Sequence, residues 1–212
     1  MEQRSKQLGF SHVAMWAASA LPLATPKLFA FNNASAEWQQ EYALKNYLLR
    51  DPIIRHGLNC SRLAVLDEAF FQKDPQFWQS AHEHGLCYGV SQSTRGFDGT
   101  TYILAICREE EPVSAAEVEA IGEPFAHLLH MMANLLEEVI GFPHRQQDTP
   151  VLSKREVEVL RWTADGKTAS EIAMILNISE RTVNFHINNS IQKLNAVNKT
   201  QALVKAVVLN LL

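Results

Sequence analysis

Three helix starts crowd into residues 152–194, and a segment punctuated this way is constrained to fold as a bundle of short helices. Ser153 with Glu156, and Thr168 with Glu171, each place a hydroxyl three residues ahead of a carboxylate. In that pattern the two side chains satisfy each other's free backbone N–H groups at a helix N-terminus. After a break at Asn177-Ile178, Ser179 can cap a third helix. Its apolar residues Val183, Ile187, Ile191 and Leu194 follow at spacings of four, four and three, which makes one buried stripe. The other side carries Arg181, Asn184, Asn188 and Gln192, flanked by Thr182, His186, Asn189 and Lys193, with no acidic residue after Glu180. Amides and cations free of carboxylates are the groups that read base edges and grip phosphates. Asn198 and Gln201 can cap a last helix, which Lys199 and Thr200 open; free N–H groups and a cation there can hold one phosphate.

The net charge of -4 argues at first against a nucleic-acid partner, but the charge is divided unevenly. Residues 150–212 hold 8 Lys/Arg against 5 Asp/Glu, a balance of +3, and the preceding part holds 11 against 18, or -7. A mildly basic tail on an acidic body fits DNA binding by one module only. Between them, residues 141–150 are polar, contain Pro143 and Pro150 and show no periodicity, so they read as a linker between domains at 1–140 and 151–212. Cys60, Cys87 and Cys107 are an odd number without metal-ligand spacing, as expected of reduced thiols in a cytoplasmic protein. The apolar run from Val13 to Ala24 falls short of the roughly 20 residues of a membrane span. Glu2 and His12 also argue against its being a secretion signal, so no membrane partner is expected.

The first 140 residues read as mixed α and β. The chain enters its first strand from Leu8, with apolar runs at 10–15 and 28–31. Residues 35–49 read as a helix that Asp51-Pro52 ends, because a residue before proline is pushed out of the α region. Asp74-Pro75 is a helix start, with Gly85 the matching stop. Residues 86–94 and 100–108 read as a β-hairpin around 95–99. Ser114 opens a long helix in which Val118, Ile121, Phe125, Leu128, Leu129, Met132, Leu135, Leu136 and Val139 recur at helical spacing. Two pairs, His82 with His84 and His127 with His130, invite a metal-enzyme reading, but no carboxylate lies at ligand spacing, and neither a metal nor catalysis is expected. Gly166-Lys167-Thr168 echoes a phosphate-binding loop, but Arg161 stands where the first glycine is required, so it reads as a helix start.

The tail resembles the LuxR-type helix-turn-helix domain: Leu152-Ser153 with Arg155-Glu156, Trp162-Thr163-Ala164, Gly166-Lys167-Thr168, Glu171-Ile172-Ala173, Ile178-Ser179, Thr182-Val183, Phe185-His186 and Asn198-Lys199 carry the pattern. The resemblance implies a four-helix module whose third helix enters the major groove, usually as a dimer on a palindromic site of double-stranded DNA. Asn184 and Asn188 would face bases, with Phe185 on a thymine methyl and Asn189 beside them. Arg181, Thr182, Lys193, Lys199 and Thr200 would hold the backbone. His186 is read either as packing or as touching phosphate, and Trp162 as scaffold.

The front half resembles the acyl-homoserine-lactone binding domain of quorum-sensing regulators, through Trp38, Tyr42 and Asp51-Pro52, with Pro22, Pro26-Lys27, Arg55-His56-Gly57 and Gly85. That implies an α+β sensor domain, a central antiparallel sheet flanked by helices, ahead of the all-α tail. It also implies roles: the Trp38 indole N–H for the lactone carbonyl, the Tyr42 hydroxyl for the amide carbonyl, the Asp51 carboxylate for the amide N–H. Three positions depart from the family. Leu66 falls where a second Trp usually covers the lactone ring, Ala34 where a Tyr is usual, and Ala105 where a hydroxyl is common, so the site is roomier and less aromatic. Ligand burial would stabilise the sensor and permit dimerisation through the helix from Ser114, with no other cofactor. The alternative is an orphan regulator answering to another small molecule or to none.

Overall fold

A short helix, α1 (Glu2–Gln7), precedes the first strand, β1 (His12–Ala18). Leu8 therefore does not enter the strand. Its N–H donates to the carbonyls of Arg4 and Ser5, and Gly9, at φ 84°, takes the left-handed turn that ends the helix. The computed structural model describes residues 2–140 and 151–212. The expected linker over 141–150 and the side chain of Val139 lie outside the described residues.

After β2 (Leu28–Asn32) comes α2 (Ala36–Leu44), capped by Ser35. The single helix expected over 35–49 is instead broken: Asn46 adopts φ 51°, a left-handed conformation that Asn tolerates, and residues 47–49 form a separate 3₁₀ turn. Asp51-Pro52 is a second correction, because it opens a helix rather than closing one. In α3 (Pro52–Asn59) the Asp51 carboxylate accepts the N–H of Ile53 at 2.8 Å and proline fills the first helical position, where its missing N–H costs nothing. A short strand, β3 (Ala64–Leu66), follows, then α4 (Pro75–Glu83), capped by Asp74. The hairpin of β4 (Tyr88–Arg95) and β5 (Thr101–Arg108) leads to the long α5 (Ala115–Ile140).

The five strands form one antiparallel sheet in the order β2-β1-β5-β4-β3. Successive side chains alternate between its faces. Gly57 of α3 meets the Ile103 side chain on one face; His130 of α5 meets Thr94 on the other, so helices cover both. On the α3 face the register sets three rows across the sheet: Ala30, Trp16, Ile103 and Ser93; then Asn32, Ala14, Ala105, Ser91 and Ala64; then His12, Cys107, Gly89 and Leu66. The second row is made almost wholly of small side chains. That is where a hollow can form.

On α5, Ile121, Phe125, Leu128, Leu129 and Leu136 are buried as the spacing requires, whereas Leu135 and its neighbour one turn back, Met131, are exposed.

The second compact unit is the tail, with α6 (Lys154–Ala164), α7 (Ala169–Leu176), α8 (Glu180–Lys193) and α9 (Lys199–Val208). Both capping boxes close in full, Ser153 with Glu156 and Thr168 with Glu171; Ser179 caps α8 and Asn198 caps α9. Asn177, at φ 52°, turns the chain between α7 and α8. Val183 and Ile187 pack with Val159, Ile172 and Ala173, while Leu194 packs with Leu160, Ala202 and Ala206, so the stripe on α8 joins two small cores.

Glu156 does more than cap. Only 3% exposed, it also accepts from the Lys193 ammonium at 2.8 Å, tying the end of α8 to the start of α6. Burial alone would raise its carboxyl, but the bonds from Lys193 and the Ser153 N–H outweigh it and hold the group below its ordinary value. Glu156→Ala removes a cap worth about 1 kcal/mol and a half-exposed ion pair worth up to about 1 kcal/mol. Denaturant unfolding of the variant is therefore expected to show about 2 kcal/mol lost from the tail, with Thr168→Ala costing only about half as much.

Candidate functional site

A cavity of about 290 Å³ opens over the small-residue row, roofed by side chains of α2, α3 and α4. Trp38, Tyr42, Asp51, Leu66, Ala34 and Ala105, the six positions singled out in the sequence, all line it. Local structure explains how they converge. The Ser35 cap sets α2 so that Trp38 and Tyr42, one turn apart, face inward, and the Asp51 cap fixes α3 with its carboxylate buried at its head. Trp38 is held among rings, with centroids 5.6 Å from Tyr42, 5.8 Å from Tyr47 and 5.9 Å from Phe77. Its indole N–H has no hydrogen-bond partner among the described residues.

The polar centre of the cavity is one short hydrogen bond. The Tyr42 hydroxyl donates to Asp51 Oδ2 at 2.7 Å, while Asp51 Oδ1 accepts from Ile53. Burial pushes the Asp51 carboxyl up to about 6, against the pull of the Tyr42 hydroxyl and the backbone N–H groups. Burial, then the adjoining Asp51 charge, raises the Tyr42 phenol in turn. A carboxylate offers about four acceptor sites but a phenol only one proton. Asp51 can thus take a further donor, whereas Tyr42 can donate to a ligand only by leaving Asp51.

The sequence reading overlooked His12, Trp16, Asn32, Asn33, Cys87 and Cys107 as cavity residues. Strand alternation was the available signal, since His12, Ala14 and Trp16 share one face of β1. His12 Nδ1 is buried without a partner, and burial lowers the ring's proton affinity against the opposing pull of Glu109. Burial pushes the Cys107 thiol up to about 12 and also raises Cys87, so neither is an activated nucleophile; all three cysteines are free. The four histidines do not gather: His84 bonds Glu41 at 3.0 Å and His130 bonds the Ala126 carbonyl at 2.8 Å. Among the described residues no group of three or more His, Cys, Asp or Glu could hold a metal ion, and no helix is long and apolar enough to cross a membrane.

The second candidate surface is the outer face of α8. Arg181, Asn184, Phe185 and Asn188 are exposed there, Phe185 by 59%, a large apolar ring left in water on an otherwise polar face. Thr182 and Asn189 are half-buried at its margins, and the Thr182 hydroxyl lies 2.7 Å from that of Ser179. Lys199 and Thr200 are exposed at the start of α9. The Lys193 ammonium is engaged with Glu156. His186 is half-buried with its Nδ1 unpartnered, and Trp162 packs on the α6–α8 core as scaffold.

Two family models match the chain: an autoinducer binding domain over residues 1–137, and the luxR family of bacterial regulatory proteins over 150–206. The chain is 36% identical over 214 residues to the transcriptional activator protein AnoR of Acinetobacter nosocomialis, a match spanning 100% of this chain and 90% of that protein. Its structure is similar to the crystal structure of Escherichia coli SdiA, with a TM-score of 0.74 at 32% identity over 99% of this chain and 88% of the other. It also resembles SdiA in complex with octanoyl-rac-glycerol, with a TM-score of 0.65 at 33% identity, covering 98% and 84%.

Because the folded Asp51 carboxyl titrates near 6 rather than at its ordinary 3.8, folding takes up a proton between these values. Its contribution to stability is complete below the unfolded value and is lost as pH rises through about 6. The displacement corresponds to about 3 kcal/mol at about 1.4 kcal/mol per pH unit. Unfolding of the chain and of Asp51→Asn, compared from about pH 7.5 down to about pH 4, is expected to shift in favour of the unmutated chain as pH falls, by up to that amount. A pH-independent difference would assign the group an ordinary ionisation.

Proposed function

Because the chain belongs to the luxR family of bacterial regulatory proteins, autoinducer-responsive transcription factors rather than enzymes, we propose that its effector is an acyl homoserine lactone. One observation carries this reading: an apolar cavity with an acceptor, Asp51, a donor, Trp38, and a hydroxyl, Tyr42, together on its wall. An acyl homoserine lactone carries one amide N–H and two carbonyls on an apolar chain, and each of those polar atoms, if buried without a partner, costs about 1–3 kcal/mol.

Binding is an exchange. The ligand's amide N–H replaces the Tyr42 hydroxyl as donor to Asp51, and Tyr42 turns its proton to the amide carbonyl. The Trp38 indole N–H donates to the lactone carbonyl. No hydrogen bond is lost overall. The lactone ring would lie toward Leu66 and the end lined by His12 and Asn32; the acyl chain takes the other, apolar end. Ala34 and Ala105 leave room beside it.

The output is DNA binding through α8, with Asn184, Asn188 and Phe185 toward the bases and Arg181, Thr182, Lys199 and Thr200 toward phosphates. Asn189 flanks this face, and Lys193 joins the phosphate contacts only by leaving Glu156. The exposed pair Met131 and Leu135 on α5 supplies an apolar strip for a second copy. A two-fold dimer would match a palindromic site in the cytoplasm. No resident cofactor is needed, because the effector itself stabilises the folded domain by RT ln(1 + [L]/Kd). The second reading is an effector of another chemistry, or none, and the octanoylglycerol held by SdiA favours it specifically.

Thermal unfolding with a panel of acyl homoserine lactones and octanoylglycerol separates these readings. At about one hundred times Kd a true effector stabilises by about 2.7 kcal/mol, a rise in Tm of about 5–10 °C. A lactone should produce it, and Asn184→Ala should keep that rise while losing promoter binding. A response to octanoylglycerol alone, or to nothing, would overturn the lactone assignment.

A further inference from the structure

The cavity has a definite end, and three strands agree on where it is. On β1, His12, Ala14 and Trp16 line it but Ala18, next on the same face, does not. On β5, Cys107 and Ala105 line it but Ile103, the cross-strand partner of Trp16, does not. On β2, Asn32 and Ala30 line it but Leu28, paired with Ala18, does not. The hollow spans the two rows of small or polar residues and stops at the row holding Trp16 and Ile103. Neither of those two can yield easily. Trp16 is 6% exposed, Ile103 is fully buried, and a Cβ built on Gly57 of α3 would come within 2.7 Å of the Ile103 side chain.

We propose that Trp16 is the floor of the cavity and restricts the effector to a short acyl chain. This rests on the lactone reading above, in which Asp51 and Tyr42 hold the amide and the chain runs toward the Trp16 end. Trp16 lines the same cavity as Tyr42 and Asp51 at the row where that cavity ends, so a chain running from the amide toward that end meets the ring. The total of about 290 Å³ agrees, since pockets for drug-sized ligands run from about 300 to 1,000 Å³. Beyond the ring the next row on the α3 face holds Leu28 and Ala18, followed by Thr101 and Arg95, so removing the indole opens the hollow first toward Ala18 and Leu28.

The test is binding of a ladder of straight-chain lactones, butanoyl to dodecanoyl, to the full chain and to Trp16→Ala, with Trp16→Leu as a milder change should the alanine variant fail to fold. The unmutated chain is expected to bind best at the short end of the ladder. In Trp16→Ala the optimum moves to longer chains, each methylene newly admitted tightening binding by about fourfold, and Trp16→Leu moves it less. An optimum unchanged in the folded variants, or equal affinity of the unmutated chain for butanoyl and dodecanoyl lactones, overturns the role of Trp16 and leaves the lactone reading standing. If no lactone binds the unmutated chain, the lactone reading fails, and the Trp16 inference with it.

Discussion

The Asp51 carboxylate is the constraint on which the first domain turns. One oxygen caps α3, the other receives the Tyr42 hydroxyl from α2, and both are buried against the cavity. A carboxylate so enclosed is costly unless it is fully hydrogen-bonded. The structure meets that cost with a backbone N–H, which is permanent, and a phenol, which is exchangeable. The cap makes the group part of the fold; the phenol is the partner that the proposed effector would displace. In the proposed exchange a ligand that supplies its own N–H takes the place of the phenol, which would couple occupancy of the cavity to the group that organises two helices.

The tail is built on the same economy. Glu156 completes the first capping box and holds Lys193 from the far end of α8, so the outer face of that helix is presented by a rigid frame. The groups exposed on that face, Phe185 most conspicuously, are those proposed to meet DNA. Rigid presentation matters because base contacts carry sequence information only when phosphate contacts fix the register.

Local chemistry made much of this legible in the sequence, and tertiary context hid the rest. Both capping boxes, the Asp74-Pro75 helix start and the β4–β5 hairpin are decided by residues close together in the chain, and they appear where the sequence placed them. Asp51-Pro52 reads as a stop in the sequence because the residues before it look helical throughout. Its true role depends on Asn46 turning left-handed several residues earlier, a preference too weak to read alone. The cavity-lining positions at Trp38, Tyr42 and Asp51 were visible through family resemblance. Cys107 was not, because it joins His12 and Trp16 only through the pairing of β1 with β5, a register that spacing along the chain does not specify; alternation puts His12 and Trp16 on one face of β1 but does not say which face meets the cavity. The bond from Lys193 to Glu156 is likewise a product of packing between residues far apart in sequence.

An effector bound as proposed separates Tyr42 from Asp51. The most direct measurement is a crystal structure with a homoserine lactone bound. The Tyr42–Asp51 bond is 2.7 Å. With ligand, the two oxygens are predicted to lie beyond about 3.5 Å, outside hydrogen-bonding range, with the amide nitrogen on Asp51 and the carbonyl on Tyr42. A bound lactone beside an intact Tyr42–Asp51 bond would contradict the account.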